Sequence, residues 1–329
     1  MRRWNADSVI SLSRAFTESR ILLTAVELGV FPLLARGGKS LDEITGALHS
    51  APRGTAILLD ALSAMGLLAK ENDRYTCPQD VAALLTDDAP TSVLPMVKHN
   101  ASLWGFWSEL TGIVRQGGAN RAPQVFHDDD EIAAFVGAMH VVARESAAAL
   151  AKAVRAHASA RLLDIGGATG TYAEAFLREY PAMRATVFDR PSVIELARTR
   201  LANTDLMDRF DLAGGDFYAD ELPGGHDLAL LSAIIHQNSP EQNVALYERA
   251  FRAMTPGGRL LIRDFVLSPD RTQPIGGALF AVNMLAATAG GNCYTLGEIR
   301  ETLEKAGFTG VELLIPAQSM DAVVEAFKP

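Results

Sequence analysis

The chain has 329 residues and a formal net charge of −9, with 48% hydrophobic and 21% charged residues, a composition that excludes a disordered or fibrous chain and allows two globular domains. With a sequence pI near 5.3 it opposes a phosphate backbone, so a small-molecule partner is expected rather than nucleic acid. The only cysteines, Cys77 and Cys293, form no CxxC or Cys/His cluster, and no apolar run approaches the roughly 20 residues that span a bilayer, so no disulfide framework, metal site or membrane segment is expected and a cytoplasmic setting is.

Residues 8–36 place Val9, Leu12, Phe16, Ile21, Leu22, Ala25, Val26 and Leu28 at helical spacing up to Gly29 and the Arg36-Gly37-Gly38 break, which predicts two helices. Ser40-Leu41-Asp42-Glu43 has the form of an N-cap with acids in the first turn, opening a short helix. A further helix is predicted over 53–65, ending at Gly66, and 67–76 reads as two short strands around an Asn72-Asp73 turn. Helix, turn, helix, hairpin is a winged-helix pattern, assigned to residues 1–95. Reading DNA would require basic and polar side chains on the second helix, but Gly54-Thr55-Ala56-Ile57-Leu58-Leu59 is apolar on more than one face and only Arg53 stands near its start. Such a helix is expected to be buried, including against a second subunit.

Residues 96–157 are read as a helical bridge with a long helix from about 129. Trp104, Trp107, Phe135, Met139 and His140 on it suit core packing, one wall of an apolar substrate pocket, or both. From 158 to 329 short apolar runs at 161–165, 185–188, 227–232 and 259–263 alternate with helices starting at Tyr172, Pro191, Pro240 and Thr295. That alternation predicts an α/β domain with a doubly wound, mostly parallel sheet, and a final hairpin over 310–316 and 320–327 would add an antiparallel strand at one edge.

Ligands of such sheets sit at the carboxyl ends of the strands. Asp164-x-Gly166-Gly167-x-x-Gly170 follows a strand and opens a helix, where glycines admit a ligand to the backbone and free N–H groups face it. Its leading acid repels a pyrophosphate but accepts hydrogen bonds from an ammonium group, so the ligand is expected to carry an amine. Asp189 ends the next strand, nineteen residues beyond Gly170, where a carboxylate can take both ribose hydroxyls of a nucleoside. Gly215-Asp216-Phe217 can accept from an adenine amino group while the ring packs on the base. Of seven histidines, His236 alone stands just past a strand, in Leu231-Ser232-Ala233-Ile234-Ile235-His236.

Together with Pro256-Gly257-Gly258-Arg259-Leu260-Leu261-Ile262, these motifs resemble the series of class I S-adenosylmethionine-dependent methyltransferases, specifically the small-molecule O-methyltransferases of the plant caffeate-type and bacterial polyketide-tailoring kind. The resemblance extends to Ala25-Val26-Glu27-Leu28-Gly29-Val30-Phe31-Pro32-Leu33-Leu34 and Leu59-Asp60-Ala61-Leu62-Ser63-Ala64-Met65-Gly66-Leu67-Leu68, similar to that family's N-terminal dimerisation domain. It implies a homodimer, with Gly166 and Gly167 holding the methionine part of S-adenosyl-L-methionine, Asp189 its ribose, Asp216 and Phe217 its adenine, and Ser232 as a further contact. It also implies His236 as the general base that takes a hydroxyl proton, with Asp264 orienting it.

Two segments depart from the family pattern. His236 is followed by Gln237-Asn238 where Asp-Trp is common, and within Gly290-Gly291-Asn292-Cys293-Tyr294-Thr295 the second orienting acid is replaced by Cys293. A thiol of reference pKa about 8.5 is a poor substitute for a fixed charge. The expected acceptor is a hydroxyl of an apolar, aromatic or polyketide-like molecule, with Phe280, Met284 and Thr288 on one side of its pocket or packed in the core. Methyl transfer to carbon, or another reaction of the same fold, is the alternative among enzymes; a cofactor-binding winged-helix regulator is the alternative of another class.

Overall fold

The computed structural model describes residues 3–87, 91–119 and 129–329. Its contacts divide the chain into two units, Met1–Trp104 and Gly105–Pro329.

The first unit opens with α1 (Ala6–Arg14), α2 (Phe16–Glu27) and α3 (Val30–Ala35), three helices where the periodicity predicted two. Gly29, at φ 74°, breaks the chain before α3 as expected. The additional break is at Ala15, whose N–H turns back to the Leu12 carbonyl at 3.2 Å. Apolar positions 9, 12 and 16 run through that tightened turn, so their spacing does not reveal it. Next come β1 (Lys39–Ser40), α4 (Leu41–Leu48), α5 (Pro52–Ala64), β2 (Ala69–Glu71), β3 (Arg74–Thr76) and α6 (Gln79–Leu85). The Ser40 hydroxyl accepts from Glu43 N–H at 3.3 Å and the Glu43 carboxylate from Ser40 N–H at 2.7 Å, a capping box whose N-cap is worth about 1 kcal/mol. Asn72 and Asp73 take φ 48° and 60° in the hairpin turn, the doubly left-handed geometry that matches strand twist. β1 adds a third, two-residue strand antiparallel to β3. Leu59 and Leu62 of α5 are fully buried with Val30, Phe31 and Ile44. The division between units falls within α7 (Leu94–Ser108).

The second unit adds α8 (Leu110–Gln116) and α9 (Asp129–Ala153), then β4 (Arg161–Ile165), α10 (Thr171–Glu179), β5 (Arg184–Asp189), α11 (Pro191–Leu201), β6 (Phe210–Gly214), β7 (His226–Ser232), α12 (Pro240–Ala253), β8 (Met254–Asp264), β9 (Val266–Leu267), α13 (Ile275–Ala287), β10 (Tyr294–Thr295), α14 (Leu296–Lys305), β11 (Thr309–Ile315) and β12 (Ala322–Phe327). Seven strands lie in the order β11-β12-β8-β7-β4-β5-β6. β6, β5, β4, β7 and β8 are parallel, β12 runs antiparallel to β8, and the hairpin closes that side with β11. Residues of both parities are buried: Leu162, Leu228, Leu230 and Leu261 join one apolar cluster with α9 and α10, while Leu163, Ala229, Leu231 and Ile262 join the other with α12 and α14. This is why these strands read as continuous apolar runs. β6 escaped that reading because it is the edge strand, with Asp211 exposed and no unbroken apolar run. The chain order reverses between β4 and β7, so the crevice of the sheet opens above those two strands. Among the described residues no helix is long and apolar enough to cross a membrane.

Candidate active site

The first turn after β4 is shaped by two glycines. Gly166 has φ 68°, a left-handed backbone that side chains disfavour. At Gly167 a Cβ would lie 2.7 Å from the Asp164 carboxyl carbon and 3.0 Å from Val187 Cγ1. Gly170 is the N-cap of α10. Asp164 is buried, and its Oδ2 accepts from Ala173 N–H at 3.3 Å. Burial, opposed by that hydrogen bond and assisted by the charge of Asp189, pushes its carboxyl up to about 7. In the free protein the folded state therefore holds a proton that the unfolded chain releases near 3.8, so this group's contribution to stability is full below that value and is lost as pH rises through 7. An ammonium ligand needs the carboxylate form. Affinity for a nucleoside ligand that carries an ammonium group at this turn is expected to be about tenfold lower at pH 6 than at pH 8, with proton release at the lower pH. Calorimetry in two buffers of different ionisation enthalpy checks this; a flat profile would remove Asp164 from the amine contact.

Asp189 ends β5 beside that turn. Its Oδ2 accepts from Ala168 N–H at 2.9 Å and its Oδ1 from Arg190 N–H at 2.7 Å, while burial raises its carboxyl above the ordinary range. Its own carbonyl accepts from Gly215 N–H at 2.9 Å, which draws the turn after β6 alongside. There Asp216 is exposed, with Oδ1 accepting from Tyr218 N–H at 2.8 Å. Phe217 is half-buried, and its ring would lie 3.3 Å from a Cβ at Gly166. The structure thus gathers Asp164, Gly166, Gly167, Asp189, Asp216 and Phe217 at three adjacent strand ends.

His236 lies on a short turn, Ile235–Gln237, just past β7. Its Nδ1 is 2.9 Å from both carboxylate oxygens of Asp264, the last residue of β8, and both side chains are buried. Asp264 is fixed in turn by accepting from Phe265 N–H at 2.8 Å. A carboxylate only accepts, so Nδ1 carries the proton and Nε2 is left as the basic nitrogen. The Phe280 ring meets the imidazole edge-on at 4.9 Å. Cys293 is buried near the pair; burial, with the charge of Asp264 adding, pushes its thiol up to about 12. It stays neutral, and among these side chains Asp264 is the one that meets Nδ1.

The remaining expected residues are dispersed. Trp104 closes the first unit, where it meets Phe16 at 6.5 Å and the Arg20 guanidinium at 5.4 Å. Trp107 donates from Nε1 to Asn283 of α13 at 3.0 Å. Phe135 and Met139 are half-buried on α9. His140 Nδ1 stands 2.8 Å from Thr171 Oγ1 at the start of α10, and burial, then Arg200 and Arg144, lower its pKa. Met284 is buried. The Thr288 hydroxyl donates to the Met284 carbonyl at 2.7 Å and accepts from Gly291 N–H at 2.8 Å, closing the turn after α13. Ser232 sits opposite Arg263 in the sheet, and its hydroxyl accepts from Arg263 Nη1 at 3.4 Å. That arginine was missed. It is buried, donates from Nε and Nη2 to Asp321 Oδ1 at 3.0 and 2.6 Å, and lies over the Tyr172 ring at 5.1 Å. A cation interrupting the run Leu260-Leu261-Ile262 is the signal that could have found it.

Residues 107–309 match the model of an O-methyltransferase domain, and residues 10–87 that of an O-methyltransferase dimerisation domain. The chain is 33% identical over 310 residues to the tetracenomycin polyketide synthesis 8-O-methyl transferase TcmO of Streptomyces glaucescens, covering 92% of this chain and 91% of the relative. It is 31% identical over 306 residues to the 3-hydroxy-5-methyl-1-naphthoate 3-O-methyltransferase of Streptomyces sahachiroi, covering 91% and 88%. Among solved structures, PigF with SAH superposes with a TM-score of 0.88 at 25% identity, covering 99% of this chain and 100% of that one.

Proposed function

The chain belongs to the S-adenosylmethionine-dependent O-methyltransferase family, and from that premise we propose that it methylates a phenolic hydroxyl of an aromatic, polyketide-like small molecule with His236 as the general base. The observation that carries the base assignment is the pairing of His236 Nδ1 with both Asp264 oxygens at 2.9 Å, which leaves Nε2 to take a proton. The cradle fits the cofactor: two glycines where a side chain would be strained or strike Asp164, and three carboxylates at neighbouring strand ends. Asp164 would accept from the amino group of its methionine part, Asp189 from the ribose hydroxyls and Asp216 from the adenine amine, with Phe217 packed on the base and Ser232 as a further contact. When bound, S-adenosylmethionine supplies an electrophilic methyl group.

His236 removes the proton as the hydroxyl oxygen becomes nucleophilic, and the carboxylate of Asp264 stabilises the imidazolium that forms. Phe280 limits where an aromatic acceptor can lie against the imidazole, and with Met284 it gives α13 an apolar face toward that acceptor. The acidic balance and the names of the relatives favour a small molecule over nucleic acid. The dimerisation-domain match, with Val9, Leu12 and Phe16 exposed on α1 and α2, supports a homodimer.

A panel of hydroxynaphthoates, hydroxyanthraquinones and simple phenols, incubated with methyl-labelled cofactor and read by mass spectrometry, tests the acceptor class. The expected result is one labelled methyl on oxygen in the fused-ring phenols. Label on carbon alone, or preference for non-aromatic alcohols, would overturn it.

A further inference from the structure

Asn238 stands two residues past His236, where related enzymes commonly have a tryptophan, and it is fully buried with every polar group engaged. Its Oδ1 accepts from the Tyr218 hydroxyl and its carbonyl accepts from the Tyr294 hydroxyl. Its Nδ2 donates to Asn243 Oδ1 at 2.9 Å, and Asn243 Nδ2 donates to the Ile235 carbonyl at 3.0 Å. On the other side of the same turn, Asn292 N–H donates to the His236 carbonyl at 2.8 Å. The segment that carries His236 is therefore held by the Asn243 side chain of α12, the Tyr294 hydroxyl and the Asn292 backbone, and one line of those bonds begins at Tyr218. Tyr218 directly follows Asp216 and Phe217; its ring lies 4.5 Å from that of Phe217, and its N–H is bound by Asp216. Burial, with the charge of Asp216 adding, pushes its hydroxyl up to about 12, so it remains a donor at any working pH.

We propose that Tyr218 and Asn238 are positioning residues, whose hydrogen-bonded line carries occupancy of the adenine side of the cradle to the turn that holds His236. A ligand that fixes Asp216 and Phe217 also fixes Tyr218, and through Asn238 and Asn243 it restrains the Ile235 carbonyl at the root of the imidazole. This rests on the reading of Asp216 and Phe217 as adenine contacts and of His236 as the base.

The test is hydrogen exchange of the full chain with and without S-adenosylhomocysteine, in the wild type and in Tyr218→Phe. Tyr218 is 37% exposed and phenylalanine keeps its ring against Phe217, so the variant is expected to fold. In the wild type the ligand should slow exchange at residues 235–238 by about three- to tenfold, the range one hydrogen bond supplies. In Tyr218→Phe it should still slow exchange at 166–170 while the effect at 235–238 is lost. Equal protection of 235–238 in both proteins, or none in the wild type, overturns the proposal. Turnover of 3-hydroxy-1-naphthoate gives the second arm: Tyr218→Phe should lower kcat by about three- to tenfold with little change in ligand affinity, and should add nothing in a His236→Ala background. Losses that multiply overturn the link to His236. An unchanged rate in His236→Ala sinks the base assignment instead, and the exchange result then decides the relay by itself.

Discussion

His236→Ala is expected to lower kcat by about 10²–10⁴-fold, the span that a positioned general base supplies, while affinity for S-adenosylhomocysteine changes by less than about twofold. The size of the effect follows from how completely the ring is committed. Asp264 takes Nδ1 through both of its oxygens, Phe265 N–H holds the carboxylate, and the Phe280 ring bounds the imidazole at 4.9 Å. Alanine removes the acceptor for the hydroxyl proton and leaves a buried carboxylate facing an empty space that water can only partly fill. Solvent can still take the proton at high pH, so the residual rate of the variant should climb with pH above the point where the wild type levels off. Steady-state rates at saturating cofactor, from pH 6 to 10, measure both features. A variant with wild-type kcat would assign catalysis to alignment of the reactants alone.

Residues that lie at the ends of strands were the legible part of this site. Asp164, Asp189 and His236 each follow a short apolar run, and the sheet brings those runs side by side, so position along the sequence translated directly into position in the crevice; Asp216 was found by its Gly-Asp-Phe motif instead, since β6 before it has no such run. Asp264, at the end of β8, was legible only through the family resemblance. The contact between His236 and Phe280 was not. It spans two elements joined by no motif, and helical spacing on α13 suits core packing as well as it suits a pocket wall. Tyr218, Asn238 and Asn243 left no periodic trace at all, because a line of single hydrogen bonds between a turn, a loop and a helix repeats nothing. The short strands β1, β9 and β10, of two residues each, fall below any pattern the sequence could display.

Asp189→Ala is expected to weaken binding of S-adenosylhomocysteine by about 10²–10⁴-fold, since two charge-assisted hydrogen bonds to the ribose at about 1.5–3 kcal/mol each would be lost. The same carboxylate also organises the cradle before any ligand arrives. Ala168 N–H, on a residue at φ 47°, and Arg190 N–H both point at it, and alanine leaves these two donors without their acceptor. The loss therefore has a ligand part and a turn part, and they separate by measurement. Thermal unfolding of the free protein reports the turn, where a drop of a few degrees is expected for a chain of this size. Calorimetry reports the ligand, where the loss should far exceed what that drop accounts for. Binding within about threefold of the wild type, alongside a large fall in the unfolding temperature, would make Asp189 a brace for the glycine turn and hand the ribose to another group.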